Sequence, residues 1–140
     1  MNLAKQIQNG ESKTLELKAK LPKNTNIAKT VIAFSNTAGG KLIIGVNDKR
    51  EIVGIEDIAL FEIQDKIASI ISDQCSPNII PEIYSVNIEY KLLLVIEVVR
   101  GNLKPYFLKN QGKANGTYIR IGATNRLADL ENINELERQK

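Results

Sequence analysis

Three acidic side chains near the start of the sequence could support metal-dependent chemistry. Glu11, Glu16 and Asp48 are the only carboxylates in the first 50 residues, where they lie among nine lysines and arginines. A few carboxylates with free coordination positions can hold Mg²⁺ or Mn²⁺, and such a site cleaves phosphodiesters without histidine. The chain has no histidine and one cysteine, Cys75, so His-based catalysis and zinc sites built on imidazole or thiolates are excluded. We therefore treat these carboxylates as a candidate metal and catalytic set.

Each of these carboxylates also has a purely structural interpretation. Glu16 could pair with Lys18 or Lys41 across neighbouring strands. Asp48 lies in the turn-forming segment NDKR and could bond to its own backbone. Glu11 could be an ordinary surface residue. The sequence leaves these alternatives open.

The charges are sorted along the chain, although the net charge is only +3. Residues 1–50 are strongly basic, and residues 51–99 hold two basic against nine acidic side chains. Residues 100–126 hold six basic side chains and no acid, whereas residues 127–140 are again acidic. If the two basic segments meet in space, the protein has a positive face, which is typical of proteins that bind nucleic acids.

Long cationic side chains on one face are what contacts to a phosphate backbone require. Arg120 is predicted to lie on the outward side of its strand, with Arg126 just beyond it. Aromatic residues are 5% of the chain, which favours recognition of backbone and shape over stacking on bases. The candidate phosphate contacts are Lys18, Lys20, Lys41, Lys104, Lys109, Lys113, Arg120 and Arg126.

The segment AFSNTAGGKLIIGVND predicts a helix, a glycine reversal and a buried strand. Apolar residues recur at helical spacing over residues 25–38, and Thr25 or Asn26 could cap the first free N–H groups. Gly39 suits the left-handed conformation that ends a helix, Gly40 permits close backbone approach, and we expect Asn36 to brace this reversal.

The remaining pattern predicts an α+β domain, with a mixed, mostly antiparallel sheet and two main helices packed on it. Residues 100–116 are predicted to be a long basic loop with a short strand near 106–108, and residues 128–140 a helical stub leading to a further domain. The other predicted elements are a short helix at 2–8, a strand with one wet face at 15–18, a hairpin strand at 52–55, a helix from its cap at Asp57 to residue 74, antiparallel strands at 83–88 and 92–99, and a strand at 118–121.

Six motifs in this order resemble the Schlafen-type AlbA-like domain, also called a divergent AAA-like domain, found in bacterial proteins described as transcriptional regulators. The resemblance covers nearly the whole chain, and we assign residues 1–127 to this domain. The motifs are Glu11 with LELK at 15–18, AFSNTAGG at 33–40, IGVND at 44–48, IVGI at 52–55, RGNLKPY at 100–106 and TYIRIGATNRLA at 117–128.

This resemblance implies binding of DNA or RNA. Some animal relatives also have a metal-dependent ribonuclease activity. The resemblance implies that Glu11, Glu16 and Asp48 correspond to the two glutamates and the aspartate of their catalytic set. Tandem copies of the domain pack together in relatives, so a homodimer is a further expectation. The glycines at 39 and 40 follow a helix and precede a strand, which is the reverse of a P-loop, so ATP hydrolysis is not expected.

We therefore expect a nucleic-acid-binding domain of a transcriptional regulator that contacts the phosphate backbone through a basic face. One alternative is a ribonuclease that uses Mg²⁺ or Mn²⁺ at Glu11, Glu16 and Asp48; another is a protein-interaction module that uses the acidic segment 51–99. No cofactor other than such an ion is predicted. The sequence shows no membrane span and no secretory signal, and a cytoplasmic protein is expected.

Overall fold

The computed structural model describes residues 2–56 and 60–139. These residues form five helices and eight strands, and none of the helices is both long and apolar enough to cross a membrane. In chain order the elements are α1 (Leu3–Asn9), β1 (Leu15–Lys18), α2 (Asn24–Asn36), β2 (Gly40–Ile44), α3 (Leu60–Gln74), β3 (Cys75–Ser76), β4 (Glu82–Ile88), β5 (Lys91–Val98), β6 (Phe107–Leu108), α4 (Gly112–Gly116), β7 (Tyr118–Ile121), β8 (Thr124–Leu127) and α5 (Leu130–Arg138).

The main sheet has the strand order β1-β2-β5-β4. β1 and β2 run parallel, whereas β2, β5 and β4 pair antiparallel. The predicted α+β fold with a mixed, mostly antiparallel sheet is therefore confirmed, and the apolar strands β2 and β5 are central, as their composition indicates. Two further ladders, β3 with β6 and β7 with β8, each have two strands.

Both faces of this sheet are covered, because the central strands are apolar on both sides. On one face, Leu42, Ile44 and Leu94 pack against buried residues of α2 and α3. On the other face, Ile43 and Leu93 join a second cluster with apolar residues of α1 and of the segment that follows β2. Neighbouring residues of one strand thus reach different cores, which the period of two dictates.

The glycine reversal is confirmed, while the cap before it is not where the sequence suggested. Gly39 has a φ of +78° and its N–H donates to the carbonyl of Phe34 at 2.8 Å. α2 begins at Asn24 with Lys23 at its N-cap and without a side-chain cap bond, so the prediction of a cap at Thr25 or Asn26 is wrong. Both polar residues lie inside the first turn instead.

Several other boundaries differ from the expected ones. The segment at 52–55 turns back on the chain after β2, as predicted, through an antiparallel bridge from Ile52 to Val46, but it does not continue as a strand, and Ile55 bridges to β5 instead. The predicted start of a helix at Asp57 lies outside the described residues, and α3 occupies the remainder of that prediction. The loop at 100–116 contains the short helix α4, and β8 turns back on β7, neither of which was predicted.

Arg120 joins the two basic segments of the chain. Its guanidinium lies 2.8 Å from a carboxylate oxygen of Glu16 and donates to the carbonyls of Ser12 at 2.9 Å and Leu15 at 3.0 Å. It also donates to the amide oxygen of Asn125 at 2.9 Å. The expectation that Arg120 points outward, and that β1 has a wet face, is therefore wrong: the side chain of Arg120 has no exposed surface and Glu16 is 7% exposed.

Asn36 attaches the same second segment to α2. Its side-chain amide donates to the carbonyls of Tyr106 at 2.9 Å and Tyr118 at 2.8 Å, and its oxygen accepts from the N–H of Tyr106 at 2.8 Å. Asn36 is thus structural, as expected, but it braces residues of the second basic segment rather than the glycine reversal. The segments 1–50 and 100–126 consequently meet in space.

Substituting Arg120 with methionine should destabilise the protein by about 3–5 kcal/mol, because the change leaves the Glu16 carboxylate and two backbone carbonyls without their buried partner. Urea unfolding measures this change. Arg126→Met in the same hairpin is the matched control, because Arg126 is exposed, and it should change stability by less than about 0.5 kcal/mol. Equal effects from the two variants would show that Arg120 does not hold the segments together.

Gly39→Ala should destabilise the protein much more than Gly122→Ala. Both glycines have positive φ, +78° and +57°, so alanine at either position costs about 1–2 kcal/mol of backbone strain. A Cβ at Gly39 would also lie 2.7 Å from the carbonyl of Val98, whereas a Cβ at Gly122 meets nothing within 4 Å. We expect a total destabilisation of about 3 kcal/mol for Gly39→Ala in the same unfolding assay, and similar effects of both variants would refute this account.

Candidate functional site

A groove of about 690 Å³ lies at the end of the sheet where β2 begins and β5 ends. The backbone of Gly39 and Gly40 borders it next to Val98, and Gly40 permits this packing because a Cβ there would lie 2.7 Å from the Phe34 ring. Hydroxyl groups of the loop before β1 also line this groove. A reversal built from two glycines therefore leaves room for a ligand beside the strand end.

Cationic side chains line this groove and its continuation. Lys41 and Arg100 line the first cavity, and a second cavity of about 310 Å³ shares Ala38 and Arg100 with it and adds Lys13. Lys13 and Arg100 are exposed and Lys41 is partly exposed. We call the two cavities together the basic groove; its cations come from both basic segments.

Two carboxylates also line the basic groove, and each already has a partner. Glu97 accepts a hydrogen bond from the hydroxyl of Tyr84 at 2.7 Å; burial of the hydroxyl and this bond raise the pKa of Tyr84 to about 12. Glu135 on α5 lies 2.7 Å from the guanidinium of Arg138, and this hydrogen bond lowers the pKa of the carboxyl. The basic groove is therefore positive but not uniformly so.

The eight predicted phosphate contacts do not form one stripe. Lys41 pairs with Leu15 in the sheet and faces the α1 side, whereas Lys18 alternates with Leu17 and lies beside Glu16 on the α2 side. Lys18 and Lys41 thus project from opposite faces of the sheet. The nitrogen of Lys18 is 3.1 Å from a carboxylate oxygen of Glu16, so an acidic group lies between Lys18 and Arg120.

Lys104 is the second predicted contact that is buried, with 2% of its surface exposed. Its nitrogen donates to the amide oxygen of Gln139 at 2.7 Å. Burial and the nearby guanidinium of Arg100 lower the pKa of Lys104. Neither Lys104 nor Arg120 can therefore reach a phosphate in this conformation.

The other four predicted contacts, Lys20, Lys109, Lys113 and Arg126, are exposed. Lys109 donates to the carbonyl of Ser72 at 3.0 Å, and Lys113 lies 3.4 Å from a carboxylate oxygen of Glu137. None of these contacts prevents the four side chains from binding an anion. Their role remains a prediction.

The carboxylates proposed as a metal set do not converge. Both oxygens of Glu16 lie within ion-pair distance of a cation, Arg120 or Lys18, and Glu11 accepts the N–H of Leu17 at 2.9 Å. Asp48 is exposed in the turn after β2, where the side-chain oxygen of Asn47, and not that of Asp48, accepts the backbone N–H groups of Lys49 and Glu51. Among residues 2–56 and 60–139, no three acidic or cysteine side chains are grouped so that they could hold a metal ion. The geometry therefore does not fit Mg²⁺ or Mn²⁺ at these residues.

Sequence reasoning missed Lys13 and Arg100 as residues of the site. The signal was the strand order: β1 runs parallel to β2, so the residues before β1 reach the sheet end at which β2 starts. β5 runs antiparallel to β2, so the residues after Val98 reach the same end. Lys13 and Arg100 occupy these positions, but only the pairing reveals that they are neighbours.

Cys75 is fully buried. Burial raises its pKa to about 12. The thiolate that nucleophilic chemistry needs is therefore scarce at neutral pH.

Comparison with known proteins places this fold in a family. Residues 11–129 match the family described as Schlafen, AlbA_2. The solution structure of the N-terminal domain of a protein from Nitrosomonas europaea, described as related to the ATP-dependent DNA helicase RecG, is 28% identical with a TM-score of 0.63, over 93% of this chain and 95% of that one. No curated protein matches the chain.

The crystal structure of the DIP2311 protein from Corynebacterium diphtheriae is 20% identical with a TM-score of 0.62. The similarity covers 90% of this chain but 24% of that one, and it concerns the fold alone. Since the family match extends over most of the sequence and the motifs that suggested it build the sheet, the glycine reversal and the Arg120 contacts, the chain belongs to the Schlafen, AlbA_2 family.

Proposed function

We propose that this protein binds nucleic acid through its phosphate backbone, along the basic groove. The observation that carries the proposal is that cations from two segments remote in sequence line one groove. Lys13 and Lys41 come from the first basic segment and Arg100 from the second. A phosphate backbone needs several cations at successive positions, and this arrangement supplies them.

The surroundings of the basic groove favour a backbone contact over recognition of bases. Its lining combines glycines, aliphatic side chains, hydroxyl and amide groups, cations and two carboxylates, and among the described residues no aromatic side chain lines either cavity. Tyr106 is buried under Gly101, and Tyr118 lies under the ammonium group of Lys29 at 5.1 Å. Phosphates and sugars are therefore the expected points of contact, which gives little preference for sequence.

The comparisons support the same class of ligand. The resemblance to domains of bacterial transcriptional regulators implies nucleic-acid binding, and the Nitrosomonas europaea relative is described as related to a DNA helicase. Acidic residues of the segment 51–99 are exposed on α3, whereas Glu82 of the edge strand β4 pairs with Glu97 at the groove end of the sheet. A polyanion should therefore approach the end of the sheet with Arg100, away from α3.

Replacing Lys13, Lys41 and Arg100 together with alanine should weaken binding to duplex DNA and structured RNA. For every phosphate that the variant no longer neutralises, the slope of log K against log salt should flatten by about 0.9 for duplex DNA and about 0.7 for single strands. Fluorescence anisotropy at several salt concentrations measures both affinity and slope. The matched control is Lys66→Ala, an exposed lysine on α3 outside the basic groove.

This experiment separates the possible outcomes. A wild-type protein that binds none of duplex DNA, single strands or structured RNA at low salt would overturn the proposed function. Binding that survives unchanged, slope included, in the triple variant would place the interface elsewhere on the molecule. A lower affinity for unrelated sequences alike, with Lys66→Ala unaffected, is the expected result.

Glu97→Gln should strengthen binding about two- to threefold at low salt. The change removes a negative charge from the basic groove, while the amide oxygen can still accept the hydrogen bond of Tyr84. Glu89→Gln is the control, because it removes the same charge at the far end of β5, in the turn before Lys91. Equal gains from both variants would indicate a general effect of net charge and not a polyanion in the groove.

A further inference from the structure

The helix α5 lies along one side of the basic groove. Asn132, Glu135 and Gln139 line the second cavity opposite Lys13 and Arg100. α5 follows directly after residue 129, where the family match ends. It borders the proposed binding surface.

The side of α5 toward the domain carries groups that compete for cations. Glu137 forms an ion pair with Lys113 at 3.4 Å, and both side chains are nearly half exposed. The amide oxygen of Gln139 accepts a hydrogen bond from Lys104 at 2.7 Å. These contacts occupy two of the cations that the sequence indicates as phosphate contacts.

The position of Lys104 is electrostatically unfavourable in this state. Within the described residues no carboxylate pairs with it, and its charged neighbour is the cation Arg100. A buried cation without an anionic partner favours the arrival of an anion. Lys104 lies beneath α5, where a phosphate could reach it only if the last turn of the helix moved away.

The attachment of α5 to the domain is small. Ile133 and Leu136 are the buried residues of this helix, and Leu130 is largely exposed. The helix begins with its own capping box, in which Asp129 and Asn132 bond to each other's backbone. The first turn of α5 is therefore stabilised within the helix itself and does not depend on contacts with the sheet. The ion pair between Glu137 and Lys113 is exposed, and exposed ion pairs contribute little stability.

We propose that α5 is a displaceable acidic cover beside the basic groove: nucleic acid must move it aside to reach the buried Lys104, and its Glu137 competes with phosphate for the exposed Lys113. This inference rests on the proposed function. Bound phosphates replace Glu137 and Gln139 as partners of the two lysines, so the cover lowers the affinity of the free protein for polyanions. Removing a covering contact strengthens binding, and improving one weakens it.

Two pairs of full-length variants test the cover in opposite directions. Glu137→Gln removes the ion pair with Lys113 and should tighten binding to duplex DNA or structured RNA about two- to fourfold relative to Glu131→Gln. Gln139→Glu gives Lys104 a carboxylate and should weaken binding about three- to tenfold relative to Asn134→Glu. Glu131 and Asn134 are exposed on the same helix, and the two controls carry the same charge changes without these contacts.

The hydrogen-exchange rate of the α5 amides is a measurement that a change of net charge alone does not alter. The amides of α5 should exchange faster when the polyanion is bound, because the helix leaves its site and the packing of Ile133 and Leu136 no longer protects it. Anisotropy and exchange are measured on the same samples, with thermal unfolding as a check that each variant is folded.

The outcomes distinguish this inference from the proposed function. If the wild-type protein binds nucleic acid but each variant behaves like its control, or if the amides of α5 become more protected on binding, the cover is overturned and the proposed function stands. If no variant and no wild-type protein binds any nucleic acid, the proposed function itself fails. Opposite shifts of the two variants with faster exchange in α5 support the cover.

Discussion

The buried guanidinium of Arg120 is the interaction on which the arrangement of this domain depends. A charge taken out of water must be paired and fully hydrogen-bonded, and Glu16, Asn125 and two backbone carbonyls, those of Ser12 and Leu15, do this for Arg120. The Phe34 ring lies 5.2 Å from the guanidinium carbon and adds a cation–π contact. Because these partners come from separate parts of the chain, satisfying one charge fixes where the second basic segment lies against the first.

This use of Arg120 explains why the positive surface is made of other residues. An arginine that satisfies backbone carbonyls cannot also contact phosphate, and Glu16 neutralises the charge locally. Lys13 remains available to contact phosphate, although it is adjacent in sequence to Ser12, whose carbonyl accepts a hydrogen bond from Arg120. The pairing of β1, β2 and β5 places Lys13, Lys41 and Arg100 at one end of the sheet, and Arg120 holds the loop that carries Lys13 without lining the basic groove itself.

Local chemistry made most of the fold predictable, whereas long-range pairing decided the site. The Gly39 reversal, the central strands β2 and β5 and the amphipathic helix α3 follow from spacing and from glycine conformation, which short segments encode. The burial of Arg120 could not be read from alternation along its strand, because its partners in the first basic segment lie more than a hundred residues away. Lys13 and Arg100 were missed for the same reason, since only the strand order shows that they share one end of the sheet.

Two of the three functions that the sequence left open, polyanion binding and metal-dependent cleavage, make different demands on the geometry of β1 and β2. Glu16 points to the α2 side of the sheet, where Arg120 and Lys18 engage both of its oxygens. Lys41 points to the α1 side and lines the basic groove. A metal ion at Glu16 would have to displace the buried Arg120, and breaking a buried ion pair strongly destabilises a protein. A phosphate at Lys41 would displace only solvent and one weak contact with Gln6 at 3.4 Å. In this conformation polyanion binding therefore needs no rearrangement of the core, and metal-dependent cleavage does.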